Sequence, residues 1–382
     1  MQPAYELATI LNLHWERANE QLALNSWQWR TLHAIRRCRT AALGGHIDQC
    51  DSCGHLRISY NSCRNRHCPK CQGQQREAWM AARQEELLPI PYYHVVFTLP
   101  EAINPLALYQ PAVVYGLLFS TAWNTIQSFA SDPNHLGAQT GMISILHTWG
   151  QTLTLHPHLH CIIPGGGITS AGHWKSTRCK GKFLYPVRAL SAVFRARYVA
   201  GLRKVFPEQT PEFFNQLFAT PWIVYAKRPF GGPDQVIEYL GRYTHKIAIS
   251  NHRITGFDDQ TVQFTYKDYR QSGTKKEMVL AAVEFIRRFA LHILPKGFVR
   301  IRHYGMLSNA VKQTTLTRIR EQLTPKQNRV QKEEPTVERS VPIEAICPCC
   351  KKGRMQHVMD FDHRGPPIEI VKQVTSIVKS TL

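Results

Sequence analysis

The chain has 382 residues, 43% of them hydrophobic, and a formal net charge of +20 from 47 Lys and Arg against 27 Asp and Glu. This length predicts two or three domains with substantial cores, and the charge predicts a polyanionic partner, with nucleic acid as the first candidate. On charge alone, a merely basic protein remains the alternative. The N-terminus has no secretory pattern, and Gln110 and Pro111 interrupt the longest apolar run, which favours a buried helix over a membrane span. We expect a cytoplasmic, nucleoid-associated protein.

Residues 1 to 45 are predicted to be helical, and a cysteine-rich segment follows them, CDSCGHLRISYNSCRNRHCPKCQG. In a protein expected inside the cell, such cysteines indicate a metal before disulfides. The segment contains two CxxC pairs, Cys50 with Cys53 and Cys68 with Cys71, and the sequence predicts that these four hold one tetrahedral structural Zn²⁺. A second site is left open, with candidate ligands Cys38, His46, His55, Cys63 and His67. Arg64 and Arg66 lie beside these cysteines, so the module is either a DNA-contacting ribbon or purely structural.

The segment after the cysteines mixes strands and helices without a regular β-α-β repeat. Strands are predicted in YYHVVFTLP, MISILHTW, LTLHPHLHCIIP, PWIVYAKRP and GFVRIRHYG, and a hairpin around Asp258 and Asp259. Helices are predicted after Pro111 and in VRALSAVFRARYVAGLRKVF, GGPDQVIEYLGRYTHK and MVLAAVEFIRRFALHIL. This irregular order indicates an α+β fold built on an antiparallel sheet.

From Lys312 the sequence turns polar, which predicts a linker or an exposed helix that ends in disorder. CPCC follows, with Cys347, Cys349 and Cys350, and provides half of a zinc site, for which His357, His363 or another chain would supply the rest. We expect three units: a helical and zinc-binding domain at 1–88, a catalytic domain at 89–310, and a linker with a cysteine knuckle at 311–382.

Three histidines alternate in HPHLH, where His156, His158 and His160 share one face of a predicted strand. No Asp or Glu occurs between Asp132 and Glu208, so this strand cannot supply a carboxylate cluster for two metal ions. The chain also contains no GxxxxGK[ST] phosphate loop, which argues against ATP hydrolysis. A metal at this strand would therefore be held largely by histidine.

Tyr239 and Tyr243, in YLGRYTHK, are four residues apart and would project from one helix face. Such tyrosines often pack into a core, but Arg242, His245 and Lys246 make this neighbourhood cationic. A nearby cation or a polarised phosphate would activate a phenol, whose ordinary pKa is about 10.

The cysteine ribbon, His158-Leu159-His160 and the Tyr239/Tyr243 pair, in this order, resemble the two-tyrosine rolling-circle transposases of bacterial insertion sequences, which are HUH single-strand endonucleases. The resemblance extends from about Cys38 to Ser308. It implies a ferredoxin-like or RRM-like sheet with the histidine pair on a central strand. It also implies Mg²⁺ or Mn²⁺ at His158 and His160, with a third ligand that varies among HUH groups. His156 and His245 are the candidates here.

The implied activity is nicking of single-stranded DNA at transposon ends and transfer into target DNA, through a 5′-phosphotyrosine on Tyr239 or Tyr243. The cations expected to contact DNA are Arg64, Arg66, Arg178, Lys180, Lys182, Arg242 and Lys246. Two alternatives remain open from the sequence. An HUH replication initiator or relaxase would share the chemistry, whereas a non-enzymatic zinc-dependent DNA-binding protein would use the tyrosines only for packing.

Overall fold

The computed structural model describes residues 3–72, 80–81, 83–84, 86–177, 184–226, 230, 235–236, 241, 247–323 and 346–379. Within them the fold is α+β, with antiparallel sheets, as the sequence predicts. The helices are α1 (Leu7–Leu13), α2 (Trp15–Gln21), α3 (Ser26–Arg36), α4 (Asn104–Tyr109), α5 (Pro111–Ser131), α6 (Val187–Val205), α7 (Pro211–Ala219), α8 (Ala282–Ala290), α9 (Lys312–Leu323) and α10 (Ile368–Lys379).

The strands are β1 (Gly45–Cys50), β2 (Leu56–Tyr60), β3 (Tyr92–Thr98), β4 (Gly141–Trp149), β5 (Leu155–Pro164), β6 (Gly166–Ile168), β7 (Trp174–Ser176), β8 (Val224–Ala226), β9 (Ile254–Phe257), β10 (Thr261–Asp268), β11 (Thr274–Ala281), β12 (Ile301–Gly305) and β13 (Met355–Phe361). β6 and β7 form a two-stranded ribbon.

The largest sheet has five strands in the order β12-β4-β5-β3-β8, and every neighbouring pair is antiparallel. β5 is the middle strand, so the histidine-bearing strand is central, as expected. Because side chains alternate along a strand, Leu159 and Cys161 point into the main core with residues of α5 and α6. The opposite face carries His158, His160 and Ile162 and is called the histidine face below.

A second sheet, β9-β10-β11, stands beside the N-terminal helices. The predicted hairpin around Asp258 is confirmed, because Asp258 Oδ1 accepts the amides of Gln260 (2.8 Å) and Thr261 (2.7 Å) at the turn between β9 and β10. The helix predicted to begin at Met278 begins instead at Ala282. The preceding residues continue β11, whose side chains alternate in exposure as in a half-buried strand. Phe285, Ile286 and Phe289 of α8 share a core with α1 and α3.

The C-terminal part returns to the start of the chain. β13 pairs with β1, and together with β2 they form a three-stranded sheet in the order β13-β1-β2. α9 places Leu316 and Ile319 in a core with Leu88 and Ile90. The proposed boundaries at 88 and 310 stay predictions. Over the described ranges, no helix is both long and apolar enough to cross a membrane.

Candidate metal centres and active site

Three histidines converge where β4 meets β5 on the histidine face. The strand register sets His147 directly opposite His158, and His160 follows two positions later on the same face. One ring nitrogen from each lies within 4.8 Å of those of the other two. His147 and His160 are buried, whereas His158 is half-buried, so the cluster opens to its surroundings through His158.

Hydrogen bonds to Nδ1 orient two of these rings. His158 Nδ1 lies 2.7 Å from the carbonyl oxygen of His156, which can only accept, so Nδ1 carries the proton and Nε2 keeps its lone pair. His160 Nδ1 lies 3.0 Å from Nε2 of His94, a buried β3 residue whose ring is stacked on it. Ligating histidines commonly hold their second nitrogen this way, because the bond orients the ring. Nε2 is therefore the nitrogen with which His158 can bind a metal ion, and His160 can do the same when its Nδ1 donates to His94.

A further buried histidine supports the turn between β4 and β5. His292 Nε2 donates to the carbonyl oxygen of Leu153 (3.1 Å), and its Nδ1 accepts from the Thr148 hydroxyl (3.2 Å). Burial lowers the pKa of His292 to about 4, so the ring is neutral near pH 7. Since Thr148 follows His147 directly, this tether helps to hold one corner of the cluster.

Of the predicted ligands, His158 and His160 lie in the cluster, and His156 lies outside it. The His156 side chain is exposed and its pKa is lowered, mainly by desolvation, against an opposing effect of Glu101. His147 was missed by sequence reasoning, because a lone histidine in MISILHTW gives no signal until the β4–β5 register is known. The other predicted functional residues lie outside the described ranges, namely Tyr239, Tyr243, His245, Arg178, Lys180, Lys182, Arg242 and Lys246.

The donor set bears on which metal fits. Three neutral imidazoles by themselves suit zinc or a late first-row transition ion, whereas Mg²⁺ prefers oxygen ligands and keeps several waters. The three histidines therefore fit a divalent ion, and their chemistry fits Mn²⁺ better than Mg²⁺. Substrate phosphate oxygens and water would complete the coordination.

Eight of the cysteines in the described ranges form two separate groups of four. Cys38, Cys63, Cys68 and Cys71 make the first, in which Cys71 Sγ lies 3.5 Å from Cys38 Sγ and 3.6 Å from Cys63 Sγ. Cys50, Cys53, Cys347 and Cys350 make the second. We call them the base cluster and the tip cluster, because they lie at opposite ends of the β1–β2 hairpin.

This corrects the expectation that Cys50, Cys53, Cys68 and Cys71 share one ion. Cys50 and Cys53 flank the turn of the hairpin, whereas Cys68 and Cys71 follow its open end. The five residues of β2 span roughly 17 Å at about 3.3 Å per residue, far more than the width of a zinc site. Two CxxC pairs close in sequence are thus held apart by the strand between them.

The second site left open by the sequence is resolved only in part. Cys38 and Cys63 join the base cluster, but His46 and His67 do not belong to either group. His46 Nε2 lies 3.6 Å from Asp48 on β1. His67 is buried, and desolvation holds its pKa well below the usual range, with Arg66 and Arg300 acting in the same direction. His357, the suggested partner of CPCC, pairs with Asp360 at 3.4 Å instead.

Arg64 and Arg66 have different surroundings. Arg64 is exposed beside the base cluster, where its side chain is accessible to DNA phosphates. Arg66 is half-buried and donates to the carbonyl oxygens of Pro295 (3.0 Å) and Phe298. Arg66 therefore joins the cysteine-rich module to the segment between α8 and β12.

Comparisons with known proteins place this architecture in a class. A family model described as "Transposase zinc-binding domain" matches residues 10–99, and one described as "Putative transposase" matches residues 141–315, which contain the histidine cluster. The class is therefore a transposase with a zinc-binding domain. No solved structure matches the chain.

Two curated relatives make the assignment more specific. The putative transposase y4qJ of Sinorhizobium fredii is 45% identical over an alignment of 392 positions, gaps included. The alignment covers 95% of this chain and 97% of the relative. The transposase for insertion sequence element IS801 of Pseudomonas savastanoi pv. phaseolicola is 28% identical over 349 residues, which cover 85% of this chain and 82% of the relative. The chain belongs to this transposase family.

Proposed function

We propose that this transposase nicks single-stranded DNA at the ends of its element and rejoins it through a 5′-phosphotyrosine, as in rolling-circle transposition. The observation that carries the proposal is the convergence of His147, His158 and His160 on the histidine face. A cluster of imidazoles, without carboxylates on β5, suits activation of a phosphate at a single metal site. It does not suit the two-metal chemistry of carboxylate-based enzymes.

Residues that flank the tyrosine segment support the proposal. Val236, three residues before Tyr239, is fully buried in the same cluster as Ile145 and Ile162, which belong to the histidine face. Gly241, between the two tyrosines, packs so tightly that an added Cβ would lie 2.2 Å from the sulfur of Met80. The burial of Val236 against Ile145 and Ile162 supports a role for the neighbouring tyrosines at the histidine face.

In the proposed reaction, the hydroxyl oxygen of Tyr239 or Tyr243 attacks the scissile phosphorus. The bond between phosphorus and the 3′ oxygen breaks, which leaves a 5′-phosphotyrosine. The phenol loses its proton, and the departing 3′ oxygen takes up one to become a 3′-hydroxyl. His147, His158 and His160 would hold the divalent ion, which when bound polarises the phosphate as a Lewis acid. The phosphodiester energy is kept in the covalent link, so strand transfer needs no ATP, and a second tyrosine allows a second cleavage.

The test uses single-stranded oligonucleotides from the ends of the element, with the covalent adduct mapped by mass spectrometry. Tyr239→Phe and Tyr243→Phe each remove one oxygen, so DNA binding should survive while strand transfer is severely impaired. The double variant should form no adduct. Full adduct formation by the double variant would refute the tyrosine mechanism. Absence of any cleavage or adduct with the parent protein would favour a zinc-dependent DNA-binding role in which the tyrosines only pack.

Metal specificity gives the same assay a second readout. If three imidazoles hold the ion, Mn²⁺ should support cleavage at lower concentration than Mg²⁺. Equal dependence on both ions would indicate that oxygen ligands dominate the site.

A further inference from the structure

The tip cluster joins residues that are almost 300 positions apart. We propose that Cys50, Cys53, Cys347 and Cys350 bind a second structural Zn²⁺, so that the zinc-binding domain is completed by the C-terminal end of the chain. The matched zinc-binding model stops at residue 99, and neither matched model reaches Cys347. The proposal is independent of the cleavage chemistry proposed above.

The sulfur positions fit a tetrahedral zinc ion. Cys50 Sγ lies 3.7 Å from Cys350 Sγ, and Cys53 Sγ lies 3.7 Å from Cys347 Sγ. Four thiolates at about 2.3 Å from one zinc ion are separated by roughly 3.8 Å along the edges of the tetrahedron. A disulfide would need about 2.05 Å, and it would pair only two of the four sulfurs.

Two matching knuckles build the site. In one, the amide of Ser52 donates to Cys50 Sγ at 3.4 Å, and in the other the amide of Cys349 donates to Cys347 Sγ, also at 3.4 Å. Both bonds join the first sulfur of a CxxC pair to the amide two residues later. The amide of Gly353 adds a bond of 3.3 Å to Cys350 Sγ. Amide donors stabilise thiolates, so the backbone is arranged for charged sulfur.

The pairing of β13 with β1 brings the Cys347–Cys350 segment next to the Cys50–Cys53 segment. Cys50 is paired with Met355 in the antiparallel register of β1 and β13. Between the knuckles, the Asp51 amide donates to the Arg354 carbonyl oxygen (3.1 Å), and Asp51 Oδ1 accepts the Arg354 amide (2.9 Å). At Gly353 an added Cβ would lie 2.5 Å from Cys50 Sγ, so only glycine allows this close approach.

Hydrophobic burial does little to hold β13 in place. Of its seven residues only Met355 is buried, and Phe361 is half-buried. The local hydrophobic cluster consists of Cys50, Cys347 and Met355, with Cys350 packed against it. Such a small core does not stabilise a three-stranded sheet by itself, whereas a structural zinc ion contributes folding free energy directly. In this proposal the metal ion adds to the β1–β13 hydrogen bonds that join the two segments.

The CPCC motif provides a matched pair of variants. Cys347→Ser removes a ligand, whereas Cys349→Ser changes the neighbouring cysteine, which is exposed and outside the cluster. Measured by elemental analysis of the purified full-length protein, Cys347→Ser should contain one zinc ion per chain fewer than Cys349→Ser, which should equal the parent. Equal zinc content in the two variants would overturn the proposal.

A second experiment does not depend on a mutated ligand. A specific protease site is inserted after Pro335 in the parent protein, which is then cleaved and passed through a sizing column. The C-terminal fragment should co-elute with the rest in the presence of zinc and separate after a strong chelator. Separation in the presence of zinc, or alkylation without reductant that finds these cysteines already joined as disulfides, would contradict the zinc link.

Discussion

At the scale of single residues, we expect substitutions in the histidine cluster to reduce DNA cleavage more than substitution of the residue that supports it. His147→Ala removes a ligand, so cleavage should fall at least about 100-fold, as with His158→Ala, since loss of an outer partner alone typically costs about 10–100-fold in metal affinity or activity. His94→Leu should give that intermediate loss, because it only frees the His160 ring. The measurements are cleavage rate and the Mn²⁺ concentration for half-maximal rate.

The control in this series is His156→Ala. The side chain of His156 is exposed and outside the cluster, and its carbonyl oxygen, which holds His158, is retained in the variant. Cleavage should therefore stay near the parent level. A loss as large as that of His147→Ala would restore His156 as a ligand. Excess Mn²⁺ should partly rescue His94→Leu, which a purely structural defect would not allow.

Substitution of the two arginines beside the base cluster should have different effects, one on DNA binding and the other on the stability of the fold. Arg64→Ala should weaken binding of single-stranded DNA without changing the melting temperature, because its side chain is exposed. Arg66→Ala removes the side-chain donor to the carbonyl oxygen of Phe298 and one of the two donors to that of Pro295, which keeps the Phe298 amide. The variant should lower the free energy of unfolding by about 1–3 kcal/mol. Binding titrations and thermal melts distinguish them. Identical effects of the two variants would argue against this division.

Local sequence patterns revealed only part of the site. The alternation of His158 and His160 identifies one face of a strand, and the cysteine spacing identifies a metal module. His147 was not recognised, and the partners of Cys347 were not identified, because each depends on a strand pairing that the sequence does not specify. Patterns of spacing report which side chains share a face of one element. They do not report which other strand or helix packs against that face or pairs with that element.

At the scale of elements, the turn between β4 and β5 should make the fold sensitive to acid. The folded-state pKa of His292 is about 4, below the ordinary 6.5, because burial disfavours the charged ring. As pH falls below 6.5, the unfolded chain binds a proton that the folded chain does not, so stability is lost between pH 6.5 and 4 and is fully present above that window. Thermal melts at several pH values measure this loss.

His292→Gln isolates the contribution of this group. Glutamine can still donate to Leu153 and accept from Thr148, but it does not titrate. The variant should lose about 1.5 kcal/mol less than the parent between pH 6.5 and 5, because the slope reaches about 1.4 kcal/mol per pH unit only below the unfolded pKa. Since burial also lowers the pKa of His303 to about 4, some acid sensitivity should remain. An unchanged profile in the variant would refute the assignment to His292.

The bounds of helices and strands could be predicted where the local sequence pattern is strong, and not where they depend on pairing with a distant strand. The strands and helices with strong local patterns were predicted, including β3, β5 and α5. The start of α8 was misplaced because Met278 to Ala281 are apolar enough to continue a helix, while pairing with β10 makes them a strand. β13 was predicted as part of a tail, because its exposed residues give no hydrophobic signal and its partner β1 is 300 residues away.

At the scale of the whole molecule, the net charge of +20 predicts binding to single-stranded DNA that weakens steeply with salt. Each phosphate neutralised should contribute about −0.7 to the slope of log affinity against log salt concentration. The basic helix α6 is not expected to provide these contacts. Its buried residues pack in the main core, on the side of the sheet opposite the histidine face, and Arg195 is engaged by the carbonyl oxygens of Phe218 and Thr220.

The test compares the exposed α6 cations with Arg64. The double variant Arg188→Gln, Lys204→Gln should leave the salt slope within one phosphate equivalent of the parent, because these side chains face away from the proposed active site. Arg64→Ala should reduce the slope by about 0.7, the value expected for one lost phosphate contact. The measurement is a binding titration of single-stranded oligonucleotides over a range of salt concentrations. A slope that falls by two phosphate equivalents in the α6 variant would show that the DNA path runs over the opposite face of the sheet.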